Sequence, residues 1–221
     1  MLPYIDNSIA HHQAMEKEKL KTRLQQPLPG RAAQEKMLSR ARMLSLETPQ
    51  RARLSAVLIL LYPTENDWSV LYIQRAIDGH AHSGQIGFPG GKKEMMDTDL
   101  MATALREAQE EIGIDPTSIE IIGALTSLYI PVSNFCVSPF VGVLQHKPTL
   151  QLEASEVARV LEVPLKTLLD DQIKSIIEIT TPASPNVLRN VPAYLLEKDT
   201  ILWGASAMIT AELEQVLIDI L

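Results

Sequence analysis

Between Asp97 and Pro116 the chain carries a helix that is forced to be short. Asp97 or Thr98 can cap its start, Gly113 can supply a left-handed residue past its end, and Pro116 blocks continuation. At about 100° per residue, Met101, Ala104, Leu105, Ala108 and Ile112 of this helix, expected over Thr98 to Ile112, share an apolar face. Glu107, Glu110 and Glu111 fall together on the neighbouring face. Three carboxylates at that spacing repel one another and weaken an isolated helix. A hard divalent cation, Mg²⁺ or Mn²⁺, offsets the repulsion with oxygen ligands of this type. Arg106, one turn before Glu110, can pair with it. A solvated acidic face is the other reading, and the helix alone does not separate the two.

The flanking pattern alternates strands with helices. Leu54 to Tyr62 reads as an apolar strand, Pro63 to Asp67 as a turn and Ser69 to Arg75 as a second strand, which makes a hairpin. A glycine-rich loop, Ala76 to Gly91, leads to the acidic helix. Ile119 to Ser127 and Phe135 to Leu144 read as strands, Pro164 opens a short helix to Leu169, and Ile173 to Thr180 and Ala193 to Leu196 read as further strands. At the C-terminus Ala205, Met208, Ile209, Leu213, Val216, Leu217 and Ile220 recur on one helical face. This order predicts an α/β (α+β) sandwich, with a mixed sheet between helices. Ahead of it, helices over His11 to Leu24 and Arg31 to Leu44, broken at Pro27-Leu28-Pro29-Gly30, predict a helical arm over residues 1–50 packed on a main domain over 51–221.

A length of 221 residues with 46% hydrophobic and 21% charged side chains fits one globular domain with an appended segment. The formal net charge is −7, the opposite sign from a protein that coats nucleic acid. An anionic substrate would then need a metal ion to bind. Cys136 is the lone cysteine, so neither an internal disulfide nor a thiolate zinc cluster is available, in keeping with a reducing compartment. The longest apolar run, Ala56 to Tyr62, is far below the ~20 residues of a membrane span. Glu16 to Lys19 place charge where a signal peptide is apolar. A cytoplasmic protein is expected.

Gly91, Arg106, Glu107, Ala108, Glu110, Glu111, Gly113 and Ile114 resemble, in type and order, the Nudix box. Asp97 stands where the box has its first glutamate, and the stretch from Gly91 to Arg106 is one residue longer than the general pattern. That longer stretch is a feature of the coenzyme A pyrophosphatase branch. Arg75-Ala76, His80, Gly84 and Phe88-Pro89-Gly90-Gly91, with His82-Ser83-Gly84-Gln85, are similar to the motif that precedes the box in that branch. His80 stands where the branch usually has arginine. Weaker similarities extend the resemblance from about residue 27 to 207, including Val132-Ser133-Asn134-Phe135 and Leu202-Trp203-Gly204-Ala205.

The resemblance implies a Nudix-like α/β/α sandwich and a metal-dependent hydrolase of the diphosphate in coenzyme A or its derivatives, releasing 3′,5′-ADP and 4′-phosphopantetheine. Glu107 and Glu111 would be the main ligands of Mg²⁺ or Mn²⁺, with Glu110 completing a second metal site or holding a metal-bound water. Arg106 would orient these carboxylates. The general base would be a box glutamate, such as Glu110, or a carboxylate on a distant loop, for which Glu156 and Glu153 are the candidates. Arg75, His82, Gly84, Gln85, Gly90 and Gly91, with Gly87, would contact substrate phosphates. Trp203 reads as packing or as a surface for adenine, and Cys136 as core. A substrate such as ADP-ribose, or a non-catalytic ligand sensor, are the alternatives. A homodimer through the N-terminal arm stays open.

Overall fold

The computed structural model describes residues 7–38, 48–65, 67–77, 83–181, 184–197 and 200–220. The elements run α1 (Asn7–Leu24), α2 (Gly30–Gln34), β1 (Arg53–Pro63), β2 (Trp68–Arg75), β3 (Ile86–Gly87), β4 (Gly90–Lys92), α3 (Leu100–Ile112), β5 (Glu120–Ala124), β6 (Leu128–Ile130), β7 (Phe135–Val143), β8 (Val157–Pro164), α4 (Leu165–Leu168), β9 (Lys174–Thr181), β10 (Ser184–Glu197), β11 (Thr200–Trp203) and α5 (Gly204–Ile218).

A strand apolar at nearly every position must be covered on both faces. Along β1, Ala56, Leu58, Leu60 and Tyr62 enter one core while Ile59 and Leu61 enter another. β2 divides likewise, Leu71 and Ile73 against Val70 and Tyr72. α3 closes the first core with Ala104, Ala108 and Ile112, and α5 closes the second. Each fully buried leucine or isoleucine here is worth about 1.5–3 kcal/mol.

The large sheet is mixed. β7 lies parallel to β1 from Arg53↔Phe135 to Leu61↔Val143, and β2 lies antiparallel to it only from Leu60↔Leu71 to Pro63↔Trp68. Further along, β1 pairs with β4 (Val57↔Gly90) and β2 with β3 (Ile73↔Gly87), while β8 runs along the other edge of β2. The hairpin strands therefore part, and residues 86–92 fill the gap. The β9–β10–β11 meander forms a separate antiparallel sheet.

Several expectations are corrected. The second N-terminal helix is α2 plus one 3₁₀ turn, Glu35–Met37, after which Leu38 is extended; residues 39–47 lie outside those described. β8 and β11 were not expected, and β10 extends well beyond Ala193 to Leu196. Met101 is exposed and Cys136 half-buried rather than core. The C-terminal helix is buried on nearly all sides: Thr210 is bonded to Tyr72 of β2, Glu214 to Tyr194 of β10 and Lys174 of β9, and the N-terminal elements cover the side that carries Glu212. Glu212 accepts hydrogen bonds from Gly30 N (3.1 Å), Gln34 Nε2 (2.8 Å), and Thr126 N and Oγ1 (3.2 and 2.7 Å). α1 is tied down by Lys17 and Lys21 to Glu120 and by Arg23 to Asp219. No helix among the described residues is long and apolar enough to cross a membrane.

Candidate active site

The acidic helix begins two residues later than its earliest expected cap. Asp99 is the N-cap, its Oδ1 accepting from Ala102 N at 2.8 Å, and Gly113 ends the helix at φ 71° as expected. Asp97 does something else. Its carboxylate accepts from Arg106 Nε (2.9 Å) and Nη2 (3.1 Å), Thr103 Oγ1 (2.9 Å) and Glu94 N (2.8 Å). The Arg106 guanidinium holds this carboxyl well below the usual carboxylate range. Arg106 also donates to Glu110 (2.7 Å), Glu107 (2.9 Å) and the Lys92 carbonyl (3.1 Å). A guanidinium so engaged orients carboxylates.

Glu107 and Glu111 lie one turn apart. Glu111 is 1% exposed, and its Oε2 accepts from Gly90 N at 2.8 Å while Arg75 Nη1 stands 3.6 Å from Oε1. Burial pushes the Glu111 carboxyl up to about 8, against the pull of the Gly90 N–H and Arg75. Burial also raises Glu107, against Arg106. Glu110 is over half exposed.

The glycines explain how strand β4 can lie on these carboxylates. At Gly90, with φ 152°, a Cβ would sit 2.4 Å from the Ala56 carbonyl oxygen. At Gly91 it would sit 2.5 Å from the Glu107 carboxyl. The backbone approaches so closely only because no side chain intervenes.

Residues 151–156 fold over the end of α3 through Gln151 N to Ile112 O and Glu153 N to Glu111 O, both 3.0 Å. The Glu156 carbonyl accepts from Ala76 N at 2.7 Å, and the Glu156 charge acts on both Glu107 and Glu111. Glu153, by contrast, turns its carboxylate to Ser155 N and Oγ (3.1 and 2.7 Å), which lowers its pKa. Of the two candidate bases, Glu156 raises the pKa of both carboxylates of the pair, and Glu153 commits its carboxylate to Ser155.

A cavity of about 510 Å³ opens on the other side of Gly90 and Gly91. Arg75, Gln85, Gly87, Gly90 and Gly91, all named from sequence as candidate substrate contacts, line it. Gly84 does not; it is a left-handed turn residue (φ 71°) whose carbonyl accepts from Gln74 Nε2 at 3.2 Å. His80 and His82 lie outside the described residues. The acidic trio does not line the cavity either, so Arg75 and the bare glycine backbone are what join the two. Lys92 and Arg189 line it without having been singled out by sequence. Arg189 sits in the part of β10 that local pattern did not reveal, interrupted by prolines at 185 and 192.

Among the described residues no three His, Cys, Asp or Glu side chains converge into a preformed metal cage. The donor set still fits Mg²⁺ or Mn²⁺, which take one or two carboxylates and fill their remaining positions with water and substrate phosphate. Glu107 and Glu111 would serve as these carboxylates, and Glu107 and Glu110 both accept from Arg106.

The NUDIX domain matches residues 52–180. Two curated relatives are Nudix hydrolases of the uncharacterised NudL type. The chain is 38% identical over 123 residues to the one from Pectobacterium atrosepticum, covering 55% of this chain and 62% of the relative. It is 42% identical over 100 residues to the one from Salmonella paratyphi B, covering 45% and 52%. The chain thus spans somewhat over half the length of these relatives. Among solved structures, the Nudix hydrolase RenU from M. smegmatis aligns with a TM-score of 0.50 at 15% identity, over 77% of this chain and 88% of that one. The fold is therefore that of a mixed sheet held between helices, as the Nudix resemblance implies. This chain belongs to the Nudix family.

Proposed function

We propose that the protein hydrolyses the diphosphate linkage of coenzyme A or an acyl derivative, giving 3′,5′-ADP and 4′-phosphopantetheine or its acyl form. One observation supports this above others. Arg75, Gly90 and Gly91 stand between a nucleotide-sized cavity and the pair formed by buried Glu111 and half-buried Glu107. A diphosphate at that edge meets a guanidinium, exposed glycine backbone and two carboxylates.

Glu107 and Glu111 would hold Mg²⁺ or Mn²⁺, with Glu110 as a further ligand. When bound, the ion polarises a phosphoryl oxygen and acidifies a water. The chain supplies the rest. Arg75 would neutralise diphosphate charge, Arg106 and Asp97 would fix the carboxylate rotamers, and Glu156 would accept the proton of the attacking water.

The choice of coenzyme A rests on the spacing of Arg75, Gly84 and Phe88 to Gly91, and on the longer stretch before Arg106. His80, in place of the branch's arginine, favours a second reading, hydrolysis of another nucleoside diphosphate derivative such as ADP-ribose. All three box glutamates are retained, which weighs against a ligand sensor. Comparing kcat/KM for coenzyme A, 3′-dephosphorylated coenzyme A and ADP-ribose separates these readings. The proposal expects coenzyme A to be preferred by tenfold or so, on the order of one charge-assisted hydrogen bond. Equal or better turnover of ADP-ribose would refute it.

A further inference from the structure

The family match ends at residue 180, yet one wall of the cavity comes from beyond it: Arg189 of β10, Trp203 of β11, and Ser206 and Ile209 of α5. The lining from before residue 180 comes from strands β1 to β4, β6 and β7 and the turns between them. A substrate filling this space touches both those strands and the C-terminal segment.

The lining has a definite chemistry. Arg75, Lys92 and Arg189 line it, and no carboxylate does, although the chain as a whole carries a net charge of −7. Of its aromatic residues, Phe88 packs on Tyr72 with ring centroids 4.7 Å apart, and Phe135 lies under the Arg53 guanidinium at 4.0 Å. Trp203, half-buried at the start of α5, is the third. Arg75 stands 3.6 Å from Glu111, at the carboxylate end, and so belongs with the diphosphate. Lys92 belongs with that end too, its carbonyl bonded to Arg106, whereas Trp203 and Arg189 come from the C-terminal segment and are assigned to what the diphosphate carries. A pantetheine arm is flexible and uncharged and gains little from a guanidinium. A purine nucleotide with a phosphate on its ribose presents a flat π-face and a dianion, which suit an indole and an arginine.

We propose that Trp203 and Arg189 are specificity-determining residues that bind the nucleotide end of the substrate, Trp203 against the base and Arg189 against the ribose phosphate. This rests on the reading of the site as a diphosphate hydrolase of the coenzyme A class, and deepens it by assigning the cavity to one end of that substrate.

The test measures binding of adenosine 3′,5′-bisphosphate, adenosine 5′-monophosphate and 4′-phosphopantetheine by calorimetry, with KM and kcat on coenzyme A, for wild type, Trp203→Leu, Trp203→Phe and Arg189→Gln. Trp203→Leu should weaken both adenosine ligands about tenfold, and Trp203→Phe should recover most of that loss. Arg189→Gln should weaken the bisphosphate about tenfold and the monophosphate far less. KM should rise with kcat nearly constant, and 4′-phosphopantetheine should be unaffected. Unchanged bisphosphate binding in folded Trp203→Leu and Arg189→Gln overturns the proposal, as does selective loss of 4′-phosphopantetheine. If Trp203→Leu does not fold, unaltered binding in Arg189→Gln, or a Trp203→Phe variant weakened no less for 4′-phosphopantetheine than for the bisphosphate, overturns it as well. A wild type that ignores coenzyme A as substrate but binds the bisphosphate through these residues would sink the proposed reaction alone.

Discussion

Arg106 grips Asp97 at two points, Nε to Oδ1 at 2.9 Å and Nη2 to Oδ2 at 3.1 Å, and from that anchor reaches Glu107 and Glu110. The shorter acid at position 97 thus still engages the arginine of the box. Its side chain is almost wholly buried and the Arg106 side chain is 16% exposed, so little solvent screens the contact.

Asp97→Ala should lower stability by about 3 kcal/mol, the scale for removing one partner of a buried pair. It should also cut activity by roughly ten- to a hundredfold through misoriented carboxylates. Because the folded carboxyl titrates below its unfolded value, this stabilisation is complete above about pH 4 and drains as pH falls further. Denaturant unfolding of wild type and Asp97→Ala should therefore converge in acid.

Glu111 gives a pH dependence of the opposite sign. Its folded pKa is raised to about 8 from 4.5, so between those values the native state holds a proton that the unfolded state has lost. In metal-free protein, stability should fall as pH rises through that window, and Glu111→Gln should flatten the slope. Mg²⁺ or Mn²⁺ should restore more stability at pH 8 than at pH 6, since binding displaces the proton. Thermal melts with and without metal at both pH values measure this.

Two neighbouring glycines should behave differently. Gly90→Ala drives a Cβ into backbone, at 2.4 Å from the Ala56 oxygen, and should destabilise by at least about 2 kcal/mol. Gly91→Ala meets only the far end of the Glu107 side chain, which can swing away. That variant should fold nearly normally and lose most activity. Melting curves beside initial rates distinguish the two outcomes.

Glu212, buried with its partners on Gly30, Gln34 and Thr126, clamps the N-terminal segment to α5. Glu212→Ala strands those donors and should cost about 3 kcal/mol. Limited proteolysis should cut the variant faster near residues 25–30, where wild type resists.

The acidic helix, the first hairpin and the strands around Ile122 and Val141 were legible because apolar periodicity and turn residues agree there. Asp97 was ambiguous: an aspartate three residues ahead of a helix looks like a cap, and only the fold turns it towards Arg106. The parting of β1 and β2 was invisible, since nothing local to residues 86–92 announces a strand partner. β8 escaped notice because Arg159 and Glu162 interrupt it with charge, although its pairing with β2 supports it. The single apolar stripe read on the C-terminal helix underestimated its burial, because covering from the N-terminal segment is a long-range fact. The carboxylates of the site could be named from sequence; their separation from the cavity by a glycine strand could not.

The most direct test is product analysis of coenzyme A incubated with the protein and Mg²⁺ or Mn²⁺, beside Glu111→Gln. The account predicts metal-dependent release of 3′,5′-ADP and 4′-phosphopantetheine, reduced at least about a hundredfold in the folded variant. Intact coenzyme A under conditions where ADP-ribose is cleaved, or undiminished release by Glu111→Gln, would contradict it.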